Sequence, residues 1–259
     1  MRAGDDIARA LRCREGDAPA LVAFVTAGYP DRAGFMAQLA AVSSAADVVE
    51  VGVPFSDPMA DGVTIQRSSR LALEQGVTLA WILESLATRG TKSGPPLVLM
   101  SYLNPLLAFG LESLAERSAR AGVCGFIVPD LPFDESEDLR AALAPHGVAL
   151  IQMVTPVTTP ERRARLCTAT QGFVYAVTMT GVTGRTAAVP AEVQSYQDAV
   201  RADAKLPVCA GFGIRSRAQV EQLQGHVAGV IVGSALVEVM ENGQDAAQFL
   251  RSLRPSGAT

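Results

Sequence analysis

One carboxylate interrupts an otherwise apolar segment near residue 50. Valines stand at positions 48, 49 and 51, so in an extended strand Glu50 points away from its two neighbours. A carboxylate on the inward face of a buried strand, near its C-terminal end, loses part of its hydration. We therefore expect the pKa of Glu50 to rise to about 6. Such a group can take and return protons near neutral pH. A Glu paired with a core Lys or Arg is the alternative, and the scarcity of cationic residues in the apolar segments disfavours it.

Two further carboxylates follow in the loop of residues 53–62. This loop is long for a strand-to-helix connection, and long loops are often functional. Asp57 lies in a Ser-Asp-Pro turn that its side chain can cap. Asp61 precedes Gly62 and a helical pattern, so it is either a helix cap or a ligand contact, and the pattern leaves both open.

Two glycine-containing loops near the end of the chain are typical of anion binding. One is Gly211-Phe212-Gly213-Ile214 and the other is Gly233-Ser234-Ala235-Leu236. Glycines let backbone N–H groups approach an anion, and a helix N-terminus adds a favourable dipole. These loops predict a phosphate site, with two structural glycine turns as the alternative. A polar loop at residues 181–186 could close over the ligand.

Eight short apolar segments rich in β-branched residues predict the strands that position these groups. They begin at Leu21, Asp47, Leu97, Gly125, Ala149, Gly172, Pro207 and Ala228. Helical patterns separate them, including one long pattern over 65–87. Predicted N-caps and C-terminal glycines bound several helices, namely Asp31, Asp134, Thr159, Ser216, Gly122 and Gly147.

The alternation predicts an α/β fold with a parallel sheet, a single (β/α)8 TIM barrel over residues 1–259. An extra N-terminal helix from Asp5 to Arg14 is expected to cover the bottom of the barrel, and a short extra helix is expected after strand 8. A doubly wound open sheet is the alternative, but the first strand ends in TAGYPD without the GxGxxG turn of that fold. In a barrel, the loops after the strands carry function, and those after strands 7 and 8 bind phosphate.

The composition narrows the function classes. The chain has 259 residues, 49% hydrophobic and 19% charged, with a net charge of −4 and no Lys/Arg-rich run, which disfavours nucleic-acid binding. We expect a cytoplasmic protein without a signal peptide or membrane span. The four cysteines lack metal-ligand spacing. His146 and His226 each precede an apolar segment, so they are expected in helix-to-strand loops away from the chemistry.

The segment from Val49 to Gly62 resembles the signature of tryptophan synthase alpha subunits over fourteen consecutive positions. Further segments resemble family motifs in the family order. They start at Phe24, Tyr102, Pro129, Gly181, Gly211 and Gly233. The resemblance implies a carbon–carbon lyase of tryptophan biosynthesis that cleaves indole-3-glycerol phosphate into indole and glyceraldehyde 3-phosphate.

The resemblance also implies residue roles. Glu50 matches the general acid/base of the family. Asp61 matches the residue that accepts a hydrogen bond from the indole N–H, and Tyr175 matches a tyrosine near the acid/base. Thr183 matches a loop residue that meets the aspartate when the site closes. The phosphate cradle corresponds to Gly184, Gly213, Gly233 and Ser234. An apolar indole pocket is expected from Phe24, Ile65, Met100, Ile127, Met153 and Phe212, with a plain barrel core as the alternative for each.

Family members work with a beta subunit that consumes indole using pyridoxal phosphate (PLP). The resemblance therefore implies an α2β2 heterotetramer, with no cofactor in this chain and PLP in the partner. Partner contacts are expected from the loop residues Pro54, Asp57 and Pro58, from Asn104 onward, and from residues 130–132.

Three residues depart from the family pattern in segments that, by the resemblance, belong to loops that close over the site. Val63 stands where the family commonly has proline, Thr178 stands where it often has serine, and Arg185 directly follows Gly184. The alternatives are a lyase that acts without a partner, a non-catalytic subunit that activates a beta subunit, and another phosphate-binding barrel such as an epimerase. Retention of both Glu50 and Asp61 disfavours the second, and the absence of another base at the strand ends disfavours the third.

Overall fold

The fold is a closed parallel barrel, seen in a computed structural model that describes residues 3–12, 18–89, 94–178, 189–211 and 213–255. The eight strands are β1 (Ala20–Thr26), β2 (Val48–Gly52), β3 (Leu97–Met100), β4 (Val123–Ile127), β5 (Ala149–Val154), β6 (Val174–Val177), β7 (Val208–Gly211) and β8 (Gly229–Val232). Each strand pairs in parallel with the next, and β8 closes on β1 from Ala20↔Gly229 to Ala23↔Val232. The predicted barrel and its eight strands are confirmed.

Twelve α-helices lie in the described part of the chain. They are α1 (Ala3–Arg12), α2 (Phe35–Ser43), α3 (Val63–Glu74), α4 (Leu79–Ala87), α5 (Leu103–Phe109), α6 (Leu111–Arg120), α7 (Glu137–Leu143), α8 (Pro160–Ala169), α9 (Ala191–Asp203), α10 (Arg217–Gln222), α11 (Ser234–Glu241) and α12 (Ala246–Leu253). Short 3₁₀ helices cover Phe133–Glu135 and Ala144–His146. None of these helices has the length and apolar character needed to cross a membrane. The extra helix expected after strand 8 is α11.

Two apolar layers hold the barrel together. The outer layer lies between the outward faces of the strands and the surrounding helices. The inner layer fills the barrel with side chains such as Val48, Val98 and Ile231. Helix α1 adds Ile7 and Leu11, which are one turn apart and buried in this inner layer. The N-terminal helix therefore covers the bottom of the barrel, as the sequence predicts.

The long helical pattern over 65–87 forms two helices, not one. Gly76 adopts a left-handed backbone with φ 75°, which ends α3. The side chain of Gln75 fixes this break, because its amide donates to the carbonyl of Pro30 and its oxygen accepts from the backbone N–H of Arg32. The hydroxyl of Thr78 then caps α4 by accepting from the backbone N–H of Trp81.

The predicted caps have mixed outcomes. Thr159 and Ser216 cap α8 and α10 as expected. Asp31 instead caps a turn before α2, where it accepts from the N–H of Gly34. The prediction for Asp134 is wrong, because its carboxylate lies within a 3₁₀ turn and pairs with Arg162 and Arg165. The C-terminal glycines Gly122 and Gly147 both have φ 72°, as predicted.

Candidate active site

The predicted catalytic groups lie at the carboxyl end of the barrel. Glu50 projects from β2, Asp61 follows in the loop between β2 and α3, and Tyr175 projects from β6. The three side chains lie near one another, because the charge of Asp61 acts on Glu50 and both carboxylates act on Tyr175. Parallel strands bring their carboxyl ends to one rim, so residues far apart in sequence meet there.

Glu50 is a buried carboxyl group with no ion-pair partner in the described residues. Its side chain is 1% exposed, and neither carboxylate oxygen has a hydrogen-bond partner among the described residues. Burial, and secondarily the negative charge of Asp61, raise the pKa of Glu50 from 4.5 to about 8. The direction agrees with the prediction, but the pKa exceeds the expected value of about 6 because, among the described residues, no hydrogen-bond donor offsets the burial and the charge of Asp61 adds to it.

Asp61 contacts a tyrosine and does not cap α3. Gly62, and not Asp61, stands at the N-cap position of α3, and no side chain caps that helix end. The carboxylate of Asp61 accepts a hydrogen bond from the hydroxyl of Tyr102. Burial raises the pKa of Asp61 to about 6, although the Tyr102 hydrogen bond opposes the rise. The question that the sequence left open is therefore decided against the cap.

Tyr102 lies at the candidate site, although sequence reasoning assigned it no role. Its hydroxyl also accepts the backbone N–H of Ala60 at 2.8 Å, and its ring stacks on Phe55 with centroids 5.3 Å apart. Burial and the charge of Asp61 raise the pKa of Tyr102 to about 12, so it remains a donor to Asp61 at neutral pH. Tyr102 thereby anchors the loop that carries Asp61. It stands directly after β3, and its place in a family-like motif was the available signal.

Two glycines make room for aromatic rings at the rim. A Cβ on Gly211 would lie 2.7 Å from Cε1 and 3.0 Å from the hydroxyl of Tyr175, so the Tyr175 ring lies across β7. A Cβ on Gly52 would lie 2.5 Å from the tip of the Phe24 ring, which lies across β2 in the same way. Burial and the charges of Glu50 and Asp61 raise the pKa of Tyr175 well above its ordinary value, which keeps the phenol neutral.

The apolar residues predicted for the pocket fall into three groups. Met100, Ile127 and Met153 belong to the inner layer beside Tyr175. Phe24 is buried on β1, and Ile65 in the first turn of α3 is partly buried against the same apolar cluster as Phe24. Phe212 and the predicted loop residue Thr183 lie outside the described residues.

Three of the four residues predicted to bind phosphate are described, and they lie just after β7 and β8. Gly213 follows β7 with φ 66°, and no atom would lie within 4 Å of a Cβ placed there. Gly233 is the N-cap of α11, and Ser234 is its first residue. N–H groups in the first turn of a helix have no acceptor within the helix, so this end of α11 can bind an anion. Gly184, the fourth predicted member, lies outside the described residues.

Other candidate chemistries lack the necessary groups in the part of the chain that is described. No cluster of three or more His, Cys, Asp or Glu side chains is placed to hold a metal ion there. His226 pairs with Asp198 at 2.8 Å in the loop before β8, and His146 precedes β5. Both histidines lie between a helix and the next strand, as the sequence predicts, although His146 ends a short 3₁₀ helix there.

Comparisons with known proteins agree with this geometry. The family described as "Tryptophan synthase alpha chain" matches residues 11–256. A relative with that name from Nitratidesulfovibrio vulgaris is 45% identical over 93% of this chain and 95% of its own length. Another, from Geobacter sulfurreducens, is 43% identical over 91% and 92%.

Solved structures give the same result. An aminoacrylate-bound tryptophan synthase from M. tuberculosis matches with a TM-score of 0.86 and 34% identity, covering 98% of each chain. The tryptophan synthase alpha chain from Legionella pneumophila matches with a TM-score of 0.85 and 30% identity, covering 98% of this chain and 96% of its own. With the family match over most of its length and a barrel rim that presents two carboxyl groups, this chain belongs to the tryptophan synthase alpha chain family.

Proposed function

We propose that this chain cleaves indole-3-glycerol phosphate into indole and glyceraldehyde 3-phosphate. The observation that carries the proposal is the pair of carboxyl groups with separated pKa values, about 8 for Glu50 and about 6 for Asp61. At pH 7 the first is mostly a neutral acid and the second mostly a carboxylate. Two titratable groups whose environments push their pKa values apart are typical of acid and base roles in one site.

The reaction begins with the neutral form of Glu50. Its proton moves to the indole carbon that bears the side chain, which leaves positive charge on the ring. The carboxylate of Asp61 accepts a hydrogen bond from the indole N–H and stabilises that positive charge. The Glu50 carboxylate then takes the proton of the adjacent side-chain hydroxyl while the carbon–carbon bond breaks. Those electrons return to the ring, the hydroxyl carbon becomes the aldehyde, and Glu50 is neutral again.

The surrounding residues orient the substrate in this proposal. The apolar side chains at the rim, Phe24, Met100 and Met153, pack against the indole ring. Gly213, Gly233 and Ser234 bind the phosphate through backbone N–H groups. Gly184 is the fourth proposed phosphate contact, and Thr183 is proposed to meet Asp61 when the site closes. Tyr175 presents a neutral hydroxyl, which can donate a hydrogen bond, in the same site.

A beta subunit is the proposed partner, in an α2β2 assembly. Four large apolar side chains of the described residues are exposed on the loops and helices that follow β2, β3 and β5, namely Met59 at 84%, Val63 at 79%, Leu107 at 52% and Val157 at 77%. Exposed apolar groups at one end of a barrel suit a protein interface. In this assembly the partner would bind PLP, this chain would need no cofactor, and the reaction would take place in the cytoplasm.

Indole release from indole-3-glycerol phosphate tests the proposal. The wild type and Glu50→Gln are each measured with and without a beta subunit. Slow turnover that rises with the partner, and is lost in Glu50→Gln, is the expected result. Fast turnover of the isolated chain would instead support a lyase that acts alone. Unchanged activity in Glu50→Gln would refute the role of Glu50.

A further inference from the structure

A polar link of three side chains joins the two ends of the candidate site. The hydroxyl of Thr64, in the first turn of α3, donates to Oε1 of Glu238 on α11 at 3.2 Å. Both terminal nitrogens of Arg215, in the loop after β7, donate to the same carboxylate at 2.7 and 2.9 Å. The carboxylate of Glu238 therefore contacts two other elements at once.

Each member of the link lies close in sequence to a proposed site group. Thr64 follows Asp61 by three residues. Arg215 follows Gly213 by two residues. Glu238 follows Ser234 by four residues, which places it one helical turn along α11. The link thus spans from the proposed phosphate end to the loop of the catalytic aspartate.

The geometry favours a positioning role over a contribution to global stability. The side chains of Arg215 and Glu238 are 55% and 33% exposed, and exposed ion pairs add little to stability. The bidentate pairing nevertheless fixes the orientation of the carboxylate, and Arg215 holds the pKa of Glu238 below its usual range. Thr64 is buried, so its hydroxyl has few other orientations.

A second contact between the same helices provides a matched comparison. Arg67 on α3 pairs with Glu241 on α11, one turn further along both helices. It contributes to the packing of α3 on α11 in the same way but lies farther along the chain from Asp61 and Ser234. Removing it tests whether any loss between these helices has the same effect.

We propose that Glu238 is a positioning residue that couples the phosphate end of the site to the loop bearing Asp61. This inference rests on the proposed function, because it assigns Gly213 and Ser234 to phosphate and Asp61 to the indole ring. Phosphate bound at the first turn of α11 fixes α11 and the loop of Arg215. Glu238 then holds Thr64, which orders the start of α3 and the Asp61 loop.

Hydrogen–deuterium exchange tests the coupling without turnover. Glycerol 3-phosphate is the probe, and backbone exchange over residues 58–66 is measured with and without it. We expect the probe to slow exchange in the wild type and in Glu241→Gln, and the effect to be lost in Thr64→Val, which removes the hydroxyl but keeps the shape. Thr64→Ser restores the hydroxyl and should restore the effect. Equal protection in the wild type and Thr64→Val, or none in the wild type, would overturn the proposal.

Indole-release kinetics give the second readout. Loss of the Thr64 hydrogen bond should lower kcat by about threefold to tenfold, because Asp61 is less well placed. The double variant Thr64→Val/Glu238→Ala should be no slower than Glu238→Ala alone, since both changes break one link. Independent, multiplying losses would refute the coupling. If the wild type releases no indole but shows probe-dependent protection that Thr64→Val abolishes, the proposed function is refuted and the coupling stays supported.

Discussion

Glu50→Gln should abolish catalysis and at the same time stabilise the protein. The fully buried carboxyl has its pKa raised from 4.5 to about 8, so the folded protein holds the proton more tightly than the unfolded chain does. Stability is therefore lost as pH rises from about 4.5 to about 8 and changes little above that window. Glutamine keeps the shape of the neutral acid and cannot ionise.

The size of the gain follows from the pKa difference. One pKa unit corresponds to about 1.4 kcal/mol, so the stabilisation should be about 3 kcal/mol at pH 7 and about 5 kcal/mol at pH 9. Near pH 5 it should be about 1 kcal/mol or less. For a domain of this size, about 3 kcal/mol corresponds to a rise in Tm of roughly 6–12 °C.

Thermal unfolding of both proteins at pH 5, 7 and 9 measures this gain. The control is Glu84→Gln, which removes an exposed carboxylate that pairs with Arg117. That change should shift stability by less than about 0.5 kcal/mol at each pH. The reasoning is refuted if Glu50→Gln melts no higher than the wild type at pH 7, or if the difference is the same at pH 5 and pH 9.

Three further outcomes follow from the site. The kcat/KM for indole release should rise as pH increases through about 6, because Asp61 ionises, and fall as pH increases through about 8, because Glu50 loses its proton. A profile that is flat from pH 5 to 9 would contradict both assignments. Tyr102→Phe removes the donor that lowers the pKa of Asp61, so the lower inflection of that profile should move up and kcat should fall by about threefold to tenfold; an unmoved inflection argues against the contact. Val63→Pro should raise the free energy of unfolding by about 0.4–1 kcal/mol in urea titrations, because Val63 is the exposed first residue of α3 and follows the extended backbone of Gly62; destabilisation would show that this backbone does not suit proline.

The strands could be predicted because each carries its own signal. The β-branched segment around Glu50 is buried on both faces of the sheet, and such segments are nearly continuous in apolar residues. Caps made by neighbouring residues were predictable for the same reason. Ser216, for example, caps α10 together with Gln219, three residues later.

Features that depend on distant partners could not be predicted. Helix α5 begins at Leu103, whose N–H is bound by the carboxylate of Asp130, 27 residues away. No local pattern in the sequence indicates that contact. The contact between Tyr102 and Asp61 likewise joins two loops that meet only when the barrel closes.

The depth of the pKa shift at Glu50 also required the structure. Sequence indicates a carboxylate among valines, but the shift depends on which partners the fold supplies. Here the charge of a second carboxylate, Asp61, adds to the effect of burial. A cation beside the same strand would instead have favoured the ionised carboxylate and lowered the pKa of Glu50.

The helix that covers the bottom of the barrel also has a consequence for the order of folding. Ile7 packs near Gly172, just before β6, and Leu11 packs near Gly229 at the start of β8. Helix α1 is synthesised before every strand, yet its apolar side has no complete binding surface until the last strand has joined the first. These long-range contacts raise the contact order of the chain. Pulse-labelling during refolding should therefore show the amides of α1 gaining protection no earlier than those of β8.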